Sequence, residues 1–333
     1  MTSPFSARQE RQREEAGRIG APLSILKPET TPDIDLDDTQ IQPIAGLPPL
    51  IRAMRPLQWS KNLLVFAALI FTRGVFDPDP LMRSIGAFVV FCSISSGIYL
   101  VNDVRDMTQD RLHPVKRFRP IAAGDLAPRV AVFTAVVLIL AGLIGSLLIK
   151  RELMLVVALY VAAMLAYNAG LKNIVILDVM LISLGFVLRA AAGAVAISVP
   201  ISPWLYICTL LVALLVGFGK RRHEILTLQG AASLHRQNLD AYSVTLLDQI
   251  IAISAASTII AYSIYTFESP TLPDNHAMMV TIPIVVYTVL RYLFLLYKKR
   301  VGGSPEVLLV RDRPLLASVL LWVVVSGAIL YWA

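Results

Sequence analysis

Three aspartates, Asp103, Asp106 and Asp110, follow an apolar run of the chain at positions i, i+3 and i+7. On a continuing helix this spacing places them on one face, with Asn102 beside them. Carboxylates this close repel one another unless a cation neutralises them. Mg²⁺ prefers a few carboxylate oxygens and takes its other ligands from water and substrate phosphates. The aspartates therefore predict a metal site for Mg²⁺, or for Mn²⁺ in its place.

Basic residues follow the acidic group. Lys116, Arg117 and Arg119 come within nine residues of Asp110, and they would suit phosphate oxygens that a metal leaves free. The alternative interpretation is a solvated loop in which the acids simply pair with neighbouring bases.

A second charged run has the opposite balance. Lys220, Arg221 and Arg222 are consecutive bases, and Glu224 is the one acid close to them. The run continues with further polar residues: His223, His235, Arg236 and Asp240. Such a run favours anions over metals, although Lys and Arg also accumulate beside membrane spans for insertion reasons alone.

Charged residues inside apolar segments are costly in hydrocarbon and usually face a polar cavity. Asp178 and Arg189 are eleven residues apart and share a helix face, with Arg189 about 16 Å deeper. We expect Arg189 to line a cavity and to meet a phosphate or an acid. For Asp178, a buried pair that joins two helices is an equally good explanation. Arg291 and Glu268, near the ends of apolar segments, are expected to extend to the interface.

The elements that must position these residues are membrane helices. The 333 residues are 56% hydrophobic, with a mean hydropathy of +0.67, which is typical of all-α, polytopic membrane proteins. Apolar runs predict nine spans, near residues 62–76, 84–101, 130–149, 153–167, 174–197, 204–218, 249–267, 279–297 and 315–332. The first is the weakest, because its clean run is short and Pro56, Trp59 and Lys61 are typical of the interface.

The two charged runs follow the second and sixth predicted spans. This offset of four spans predicts two related helical repeats whose charged ends meet over one cavity. Gly193 and the Ala-rich run 190–196 are predicted to serve close helix contacts. Cys92 and Cys208, the two cysteines, fall within spans and are predicted to pack as small apolar residues.

Loop charge predicts the orientation. The loops 103–128, 168–173, 220–247 and 298–313 contain 15 Lys and Arg residues, whereas the alternating loops contain four. Positive loops remain in the cytoplasm, so we expect the N-terminus and the charged loops inside and the C-terminus outside. The net charge of +7 is mostly this topology signal, and no nucleic-acid partner is expected. Residues 1–48 are polar and are predicted to form a disordered cytoplasmic tail before a membrane domain at 49–333.

The stretch from Asn102 to Asp110 matches the signature Asn-Asp-x-x-Asp-x-x-x-Asp and resembles the UbiA superfamily of intramembrane prenyltransferases. The wider pattern "RPLQWSKN", "YLVNDVRDMTQDRLHPVKRFRPIAAG", "LRAAAGA" and "LLVRDRP" is similar to the branch that transfers phosphoribosyl to decaprenyl phosphate. The resemblance runs from Arg55 to the C-terminus. It implies a nine-helix bundle in the plasma (inner) membrane, open laterally to lipid and capped on the cytoplasmic side after helices two and six.

Most members of the superfamily bind polyprenyl diphosphate through Mg²⁺ and prenylate an aromatic ring. They have a second Asp-rich motif in the loop after helix six. This chain has "KRRHE" there instead. The resemblance to the branch implies phosphoribosyl diphosphate and a polyprenyl phosphate as substrates, with substitution at ribose C1. Prenyl transfer to an aromatic acceptor is the alternative. A non-enzymatic transporter is a further one, and it would predict polar residues along several spans. A homo-oligomer is compatible with the sequence.

The roles that the resemblance implies are as follows. The metal ligands would be Asp103, Asp106 and Asp110, which are also catalytic residues. Arg189, expected from its place within a span, is the fourth candidate catalytic residue. The ribose 5-phosphate or diphosphate would meet Lys116, Arg117 and Arg119, and the lipid phosphate would meet Lys220, Arg221 and Arg222. Glu224 would complete the metal shell or orient one of these bases. The substrate-binding set is completed by Asn102 and Lys61.

Overall fold

The computed structural model describes residues 46–113, 115–200, 203–228, 241–269, 272–273, 275–298, 303 and 305–332. Its regular structure in these ranges is entirely helical, as the composition predicts. Residues 1–45 of the expected tail, and the positions His235, Arg236 and Asp240, lie outside the described residues.

Eight long helices form the bundle. They are α1 Pro78–Arg105, α2 Pro128–Ile149, α3 Arg151–Ala169, α4 Leu177–Ala196, α5 Pro203–Leu228, α6 Val244–Glu268, α7 Ile282–Lys298 and α8 Arg313–Trp332. A 3₁₀ turn, Ala277–Thr281, extends α7 at its start. Eight segments of the described chain are long and apolar enough to cross a membrane, so the protein is a multi-pass membrane protein. The α1 and α2 helices each begin with proline in the first turn, where the missing N–H costs no helical hydrogen bond.

Short helical pieces connect the long helices. The α-helical pieces are Pro49–Met54, Ala67–Phe71, Met107–Leu112, Pro120–Ala123 and Pro305–Arg311. The other 3₁₀ pieces are Pro56–Phe66, Gly74–Phe76, Lys116–Phe118 and Leu171–Asn173.

The first predicted span differs from the other eight. In place of one α-helix, the chain forms the 3₁₀ helix Pro56–Phe66 and then the short α-helix Ala67–Phe71. A 3₁₀ helix rises about 2.0 Å per residue and an α-helix about 1.5 Å, so residues 56–71 reach about 30 Å. That length equals the hydrocarbon thickness of a bilayer. The prediction of nine α-helical spans is therefore corrected to eight α-helical spans plus one stretched segment.

Close backbone contacts hold this segment against the bundle. A Cβ atom added at Gly193 of α4 would come within 1.9 Å of the backbone oxygen of Val65. The neighbouring alanines of α4 are also buried: Ala190, Ala192, Ala194 and Ala196. The prediction that Gly193 and this alanine run serve close packing is confirmed.

Candidate active site

The three predicted metal ligands lie at the end of α1. The helix ends at Arg105, and after Asp106 the chain continues as the short helix Met107–Leu112. Helical hydrogen bonds cross the break, since Asp106 N–H donates to Asn102 O at 2.9 Å and Asp110 N–H donates to Asp106 O at 2.8 Å. The aspartates therefore keep their i, i+3, i+7 relationship.

Each aspartate contacts a base. Asp103, only 2% exposed, accepts hydrogen bonds from Arg55 Nη2 and from Arg119 Nη1, the latter at 3.2 Å. The same Nη1 atom donates to Asp110 Oδ2 at 2.7 Å. Lys172 Nζ donates to both carboxylate oxygens of Asp106, at 2.7 and 2.9 Å. We call these six residues, Asp103, Asp106, Asp110, Arg55, Arg119 and Lys172, the acid–base cluster.

Sequence reasoning missed Arg55 and Lys172. Arg55 has a left-handed φ of 55° at the joint before the 3₁₀ helix, and its guanidinium lies 4.9 Å from the centre of the Tyr99 ring. Burial lowers the pKa of Arg55, but the Asp103 carboxylate, together with Tyr99 and Asp110, raises the pKa above its ordinary value. Lys172 was counted only as loop charge. It lies 66 residues from Asp106 along the chain, so no local spacing could have paired the two.

The acidic residues offer the carboxylate oxygens that a divalent ion prefers, and basic side chains contact those oxygens in this structure. In the part of the chain that the structure describes, no group of three His, Cys, Asp or Glu side chains is arranged to hold a metal. Arg119 Nη1, however, already places one positive group between Asp103 and Asp110. Burial raises the pKa of Asp110, against the opposing effect of Arg119. The site therefore has the donor chemistry that Mg²⁺ prefers, and a cation already lies between two of its donors.

The remaining members of the first group lie around this cluster. Lys116 is half-buried, and its charge acts on Asp110. Arg117 is exposed and stacks on Phe118, with 4.8 Å between its guanidinium carbon and the ring centre. Asn102 and Lys61 are half-buried, Lys61 on the 3₁₀ helix Pro56–Phe66.

The second charged run is helical, which corrects the expectation of a loop there. Lys220 to Glu224 belong to α5, which continues to Leu228. Lys220 is exposed, but Arg221 is buried, and its Nε donates to Asp178 Oδ2 at 2.9 Å. Its Nη1 donates to Glu224.

Arg222 is also engaged by protein groups. Its Nε donates to Asp248 Oδ1 at 2.5 Å, and its guanidinium carbon lies 4.5 Å from the centre of the Tyr297 ring. Both buried bases of this run therefore contact acids of the protein itself.

The buried-pair explanation for Asp178 agrees with the structure. Asp178 is fully buried, and through Arg221 it joins α4 to α5. Its Oδ1 accepts from the hydroxyl of Tyr242 at 2.8 Å, and that hydroxyl accepts from Ile176 N–H at 2.5 Å. Ile176 has a φ of 70°, which is strained for a β-branched residue. Burial raises the pKa of Tyr242 well above its ordinary value.

The chain from the end of α3 to the first turn of α4 contacts both charged groups. Lys172, before α4, contacts Asp106, and Asp178, in the first turn of α4, contacts Arg221. Arg105 at the end of α1 also donates to Ala169 O at 2.9 Å. Residues 172–178 therefore link the two charged groups, and their meeting over one cavity stays a prediction.

Among the described residues, the hydrogen-bond partners of Arg189 belong to neither charged group. Arg189 is 6% exposed, and it donates to Asn62 Oδ1 at 2.8 Å, Tyr160 hydroxyl at 2.7 Å and Gly185 O at 2.9 Å. Asn62 also donates to Ser95 of α1 at 3.3 Å. Ser95 precedes Asp103 by eight helical residues, or about 12 Å. Arg189 thus lies deeper in the bundle, and among the described residues its partners are neutral.

Arg291 has an acid partner that the sequence did not predict. Its Nε and Nη2 bind the two carboxylate oxygens of Asp312, at 3.0 and 2.8 Å, and Asp312 accepts from Leu315 N–H at the start of α8. The side chain therefore joins α7 to the start of α8, and its extension to the membrane interface stays a prediction.

The matching family profile and the curated relatives agree on the family of this chain. The profile of the UbiA prenyltransferase family matches residues 63–300. The decaprenyl-phosphate phosphoribosyltransferase of Mycolicibacterium smegmatis is 35% identical over 311 residues, covering 88% of this chain and 98% of that protein. The protein of the same name from Corynebacterium glutamicum is 36% identical over 282 residues, covering 82% and 84%.

Structural comparison agrees on the fold. A UbiA homolog from Archaeoglobus fulgidus bound to GPP and Mg²⁺ superposes with a TM-score of 0.67 at 18% identity, covering 85% of this chain and 99% of that one. The same homolog bound to DMAPP and Mg²⁺ gives a TM-score of 0.66. Together with the match over residues 63–300, the eight membrane helices and the aspartates at the end of α1 identify this chain as a transferase of the UbiA prenyltransferase family.

Proposed function

We propose that this protein transfers the 5-phosphoribosyl group from phosphoribosyl diphosphate to a polyprenyl phosphate of the decaprenyl type and releases diphosphate. The observation that carries the proposal is the acid–base cluster at one end of a membrane bundle. Its three carboxylates suit a metal, and its three bases suit the phosphates of a substrate. The names of the relatives at 35% identity support the same substrates.

Asp103, Asp106 and Asp110 would hold Mg²⁺, with Asn102 beside them, and Mn²⁺ could replace it. When bound, the ion stabilises the diphosphate as leaving group. Arg55, Arg119 and Lys172 now neutralise the aspartates. With a metal on the aspartates, these bases would face the phosphate oxygens of the substrate, and Lys116 and Arg117 would extend the basic surface toward the ribose 5-phosphate.

The reaction is a substitution at ribose C1. An oxygen of the lipid phosphate forms a bond to C1 while the C1–O bond to diphosphate breaks. The lipid phosphate is already ionised near neutral pH, so no general base is required. The protein would act by positioning the reactants and by stabilising charge.

The bases of α5 would contribute differently from one another. Lys220 is exposed and is our candidate for the lipid phosphate. Arg221 and Arg222 supply positive charge close by, and Glu224 orients Arg221 through their hydrogen bond. Lys61 would act at the membrane interface. Arg189 supports the site through Asn62 rather than by touching the substrate phosphates.

The proposed location is the plasma (inner) membrane, with the acid–base cluster on the cytoplasmic side and the N-terminus inside. Phosphoribosyl diphosphate would then arrive from the cytoplasm and the lipid phosphate from the bilayer. The positive-inside distribution of Lys and Arg supports this orientation.

An assay with radiolabelled phosphoribosyl diphosphate and polyprenyl phosphate tests the proposal. We expect label in the organic phase only with Mg²⁺, and at least a 100-fold loss for Asp106→Asn, because a metal ligand is removed. Asp125→Asn is the matched control, since Asp125 pairs with Arg52 outside the cluster, and it should retain activity. Prenylation of an aromatic acceptor by polyprenyl diphosphate, without phosphoribosyl transfer, would favour the alternative chemistry.

A further inference from the structure

Two further carboxylates converge on one arginine outside the acid–base cluster. Asp178 comes from the first turn of α4 and Glu224 from the last part of α5. Arg221 Nε donates to Asp178 Oδ2 at 2.9 Å, and Arg221 Nη1 donates to Glu224 Oε2. The arginine side chain is 4% exposed and Asp178 is fully buried.

An acid pair of this kind, without the arginine, would attract a divalent ion. With it, the pair is already neutralised by a group that remains charged at every physiological pH. Arg221 differs here from Arg119, whose side chain is 26% exposed and lies in the loop region before Pro120. Arg221 is on a long helix, between carboxylates on two helices, so it cannot leave without opening the α4–α5 contact.

Further contacts hold this arrangement in place. The hydroxyl of Tyr242 donates to the other carboxylate oxygen of Asp178, and it accepts from the N–H of Ile176 at its left-handed position. Each carboxylate oxygen of Asp178 therefore accepts a hydrogen bond from the protein itself. This is the geometry of a permanent ion pair rather than of an exchangeable metal site.

We propose that Arg221 is a resident cation that takes the place of a metal ion at the Asp178–Glu224 acid pair, with Asp178 and Tyr242 as its positioning residues. This inference rests on the proposed function and extends it. It means that the acid–base cluster binds an exchangeable metal and that the Asp178–Glu224 pair does not. The positive charge on the α5 side then comes from the chain itself and does not depend on the divalent-ion concentration.

Mn²⁺ binding to the full-length protein in detergent tests the inference without measuring transfer. Bound Mn²⁺ is counted by electron paramagnetic resonance for the wild type, Arg221→Met, Arg222→Met and Glu224→Gln. We expect Arg221→Met to gain one bound ion, because the acid pair loses its internal cation. The matched control, Arg222→Met, removes the same charge one residue away and should gain none, since Arg222 Nε is paired with the single carboxylate of Asp248.

Glu224→Gln decides the question if Arg221→Met does not fold. An unchanged Mn²⁺ count in Glu224→Gln supports a resident arginine, whereas loss of one ion shows that Glu224 ligates a metal and overturns the inference. Failure of a folded Arg221→Met to gain an ion also overturns it. The proposed function is judged separately, since phosphoribosyl transfer and the effect of Asp106→Asn are measured in a different assay.

Discussion

Arg119 compensates the negative charge of two aspartates, because one of its nitrogens contacts both Asp103 and Asp110. Any metal that binds these carboxylates must displace it. The sequence predicted Arg119 as a phosphate ligand from its type and proximity. Its contact with the aspartates followed from the same charges, but spacing alone could not show which base would pair with which acid.

At this scale, Arg119→Met should strengthen metal binding in the absence of substrate. Removal of the competing guanidinium should lower the apparent Kd for Mn²⁺ about tenfold, which corresponds to about 1.4 kcal/mol. The same change leaves Asp103 and Asp110 buried with less compensation, so the metal-free protein should unfold at a lower temperature. Titration calorimetry and thermal unfolding measure the two effects.

Arg117→Met is the control for that experiment. Arg117 is two residues away, is exposed and contacts the Phe118 ring, so the variant removes the same charge without touching the aspartates. Equal Kd values for the two variants would mean that long-range charge, and not the Arg119 contact, controls metal affinity.

Arg189 allows a second residue-scale test. Tyr160→Phe removes the hydroxyl that accepts from Arg189 Nη2, and the loss of a buried partner costs about 1–3 kcal/mol. We expect a Tm lower by a few degrees and an unchanged KM for phosphoribosyl diphosphate. Tyr287→Phe, at a half-exposed position of α7, should change neither. A raised KM with an unchanged Tm would place Arg189 at the substrate after all.

At the scale of elements, hydropathy was sufficient for the eight long helices. Hydropathy could not predict the 3₁₀ geometry of Pro56–Phe66, because the close approach of Val65 to Gly193 is a tertiary contact that no local pattern records. Hydropathy also predicted that the span of α5 ends near residue 218, whereas the helix continues to Leu228. The bases from Lys220 onward predicted a loop. In the helix, however, Arg221 pairs with the buried Asp178 of α4 and Arg222 pairs with the partly exposed Asp248 of α6.

The contact between Gly193 and Val65 gives an element-scale prediction. Gly193→Ala adds a methyl group where the Val65 backbone oxygen lies at 1.9 Å, so the stretched segment must move away from α4. We expect a large fall in Tm and loss of transfer. Gly327→Ala is the matched control, because its new methyl group meets nothing within 4 Å and Ala favours a helix by about 1 kcal/mol over Gly. Equal stability of the two variants would contradict the packing explanation.

At the scale of the molecule, the orientation depends on whether residues 56–71 cross the membrane. The stretched segment is long enough, by its rise per residue, to do so. In the proposed orientation, this crossing would place Gly46 and Arg117 on the inside, and Asp77 and Asn275 on the outside.

Single cysteines at these four positions test this topology. A membrane-impermeant maleimide added to intact cells should label Asp77→Cys and Asn275→Cys at once, but Gly46→Cys and Arg117→Cys only after permeabilisation. The unmodified protein is the background control, since Cys92 and Cys208 lie within α1 and α5. Labelling of Gly46→Cys and Asp77→Cys from the same side would mean that the segment does not cross.

The pairing of every aspartate in the acid–base cluster with a base has a consequence for how the site takes up its substrates. In this structure the charges of the acid–base cluster compensate one another through internal ion pairs. Under the proposed function, Asp103, Asp106 and Asp110 would hold a divalent ion in place of their arginine and lysine partners, and those partners would then contact the phosphates of the substrate. If only the ion binds, the bases lose their acid partners, and if only the phosphates bind, the acids lose their basic partners. We therefore expect the ion and phosphoribosyl diphosphate to bind together.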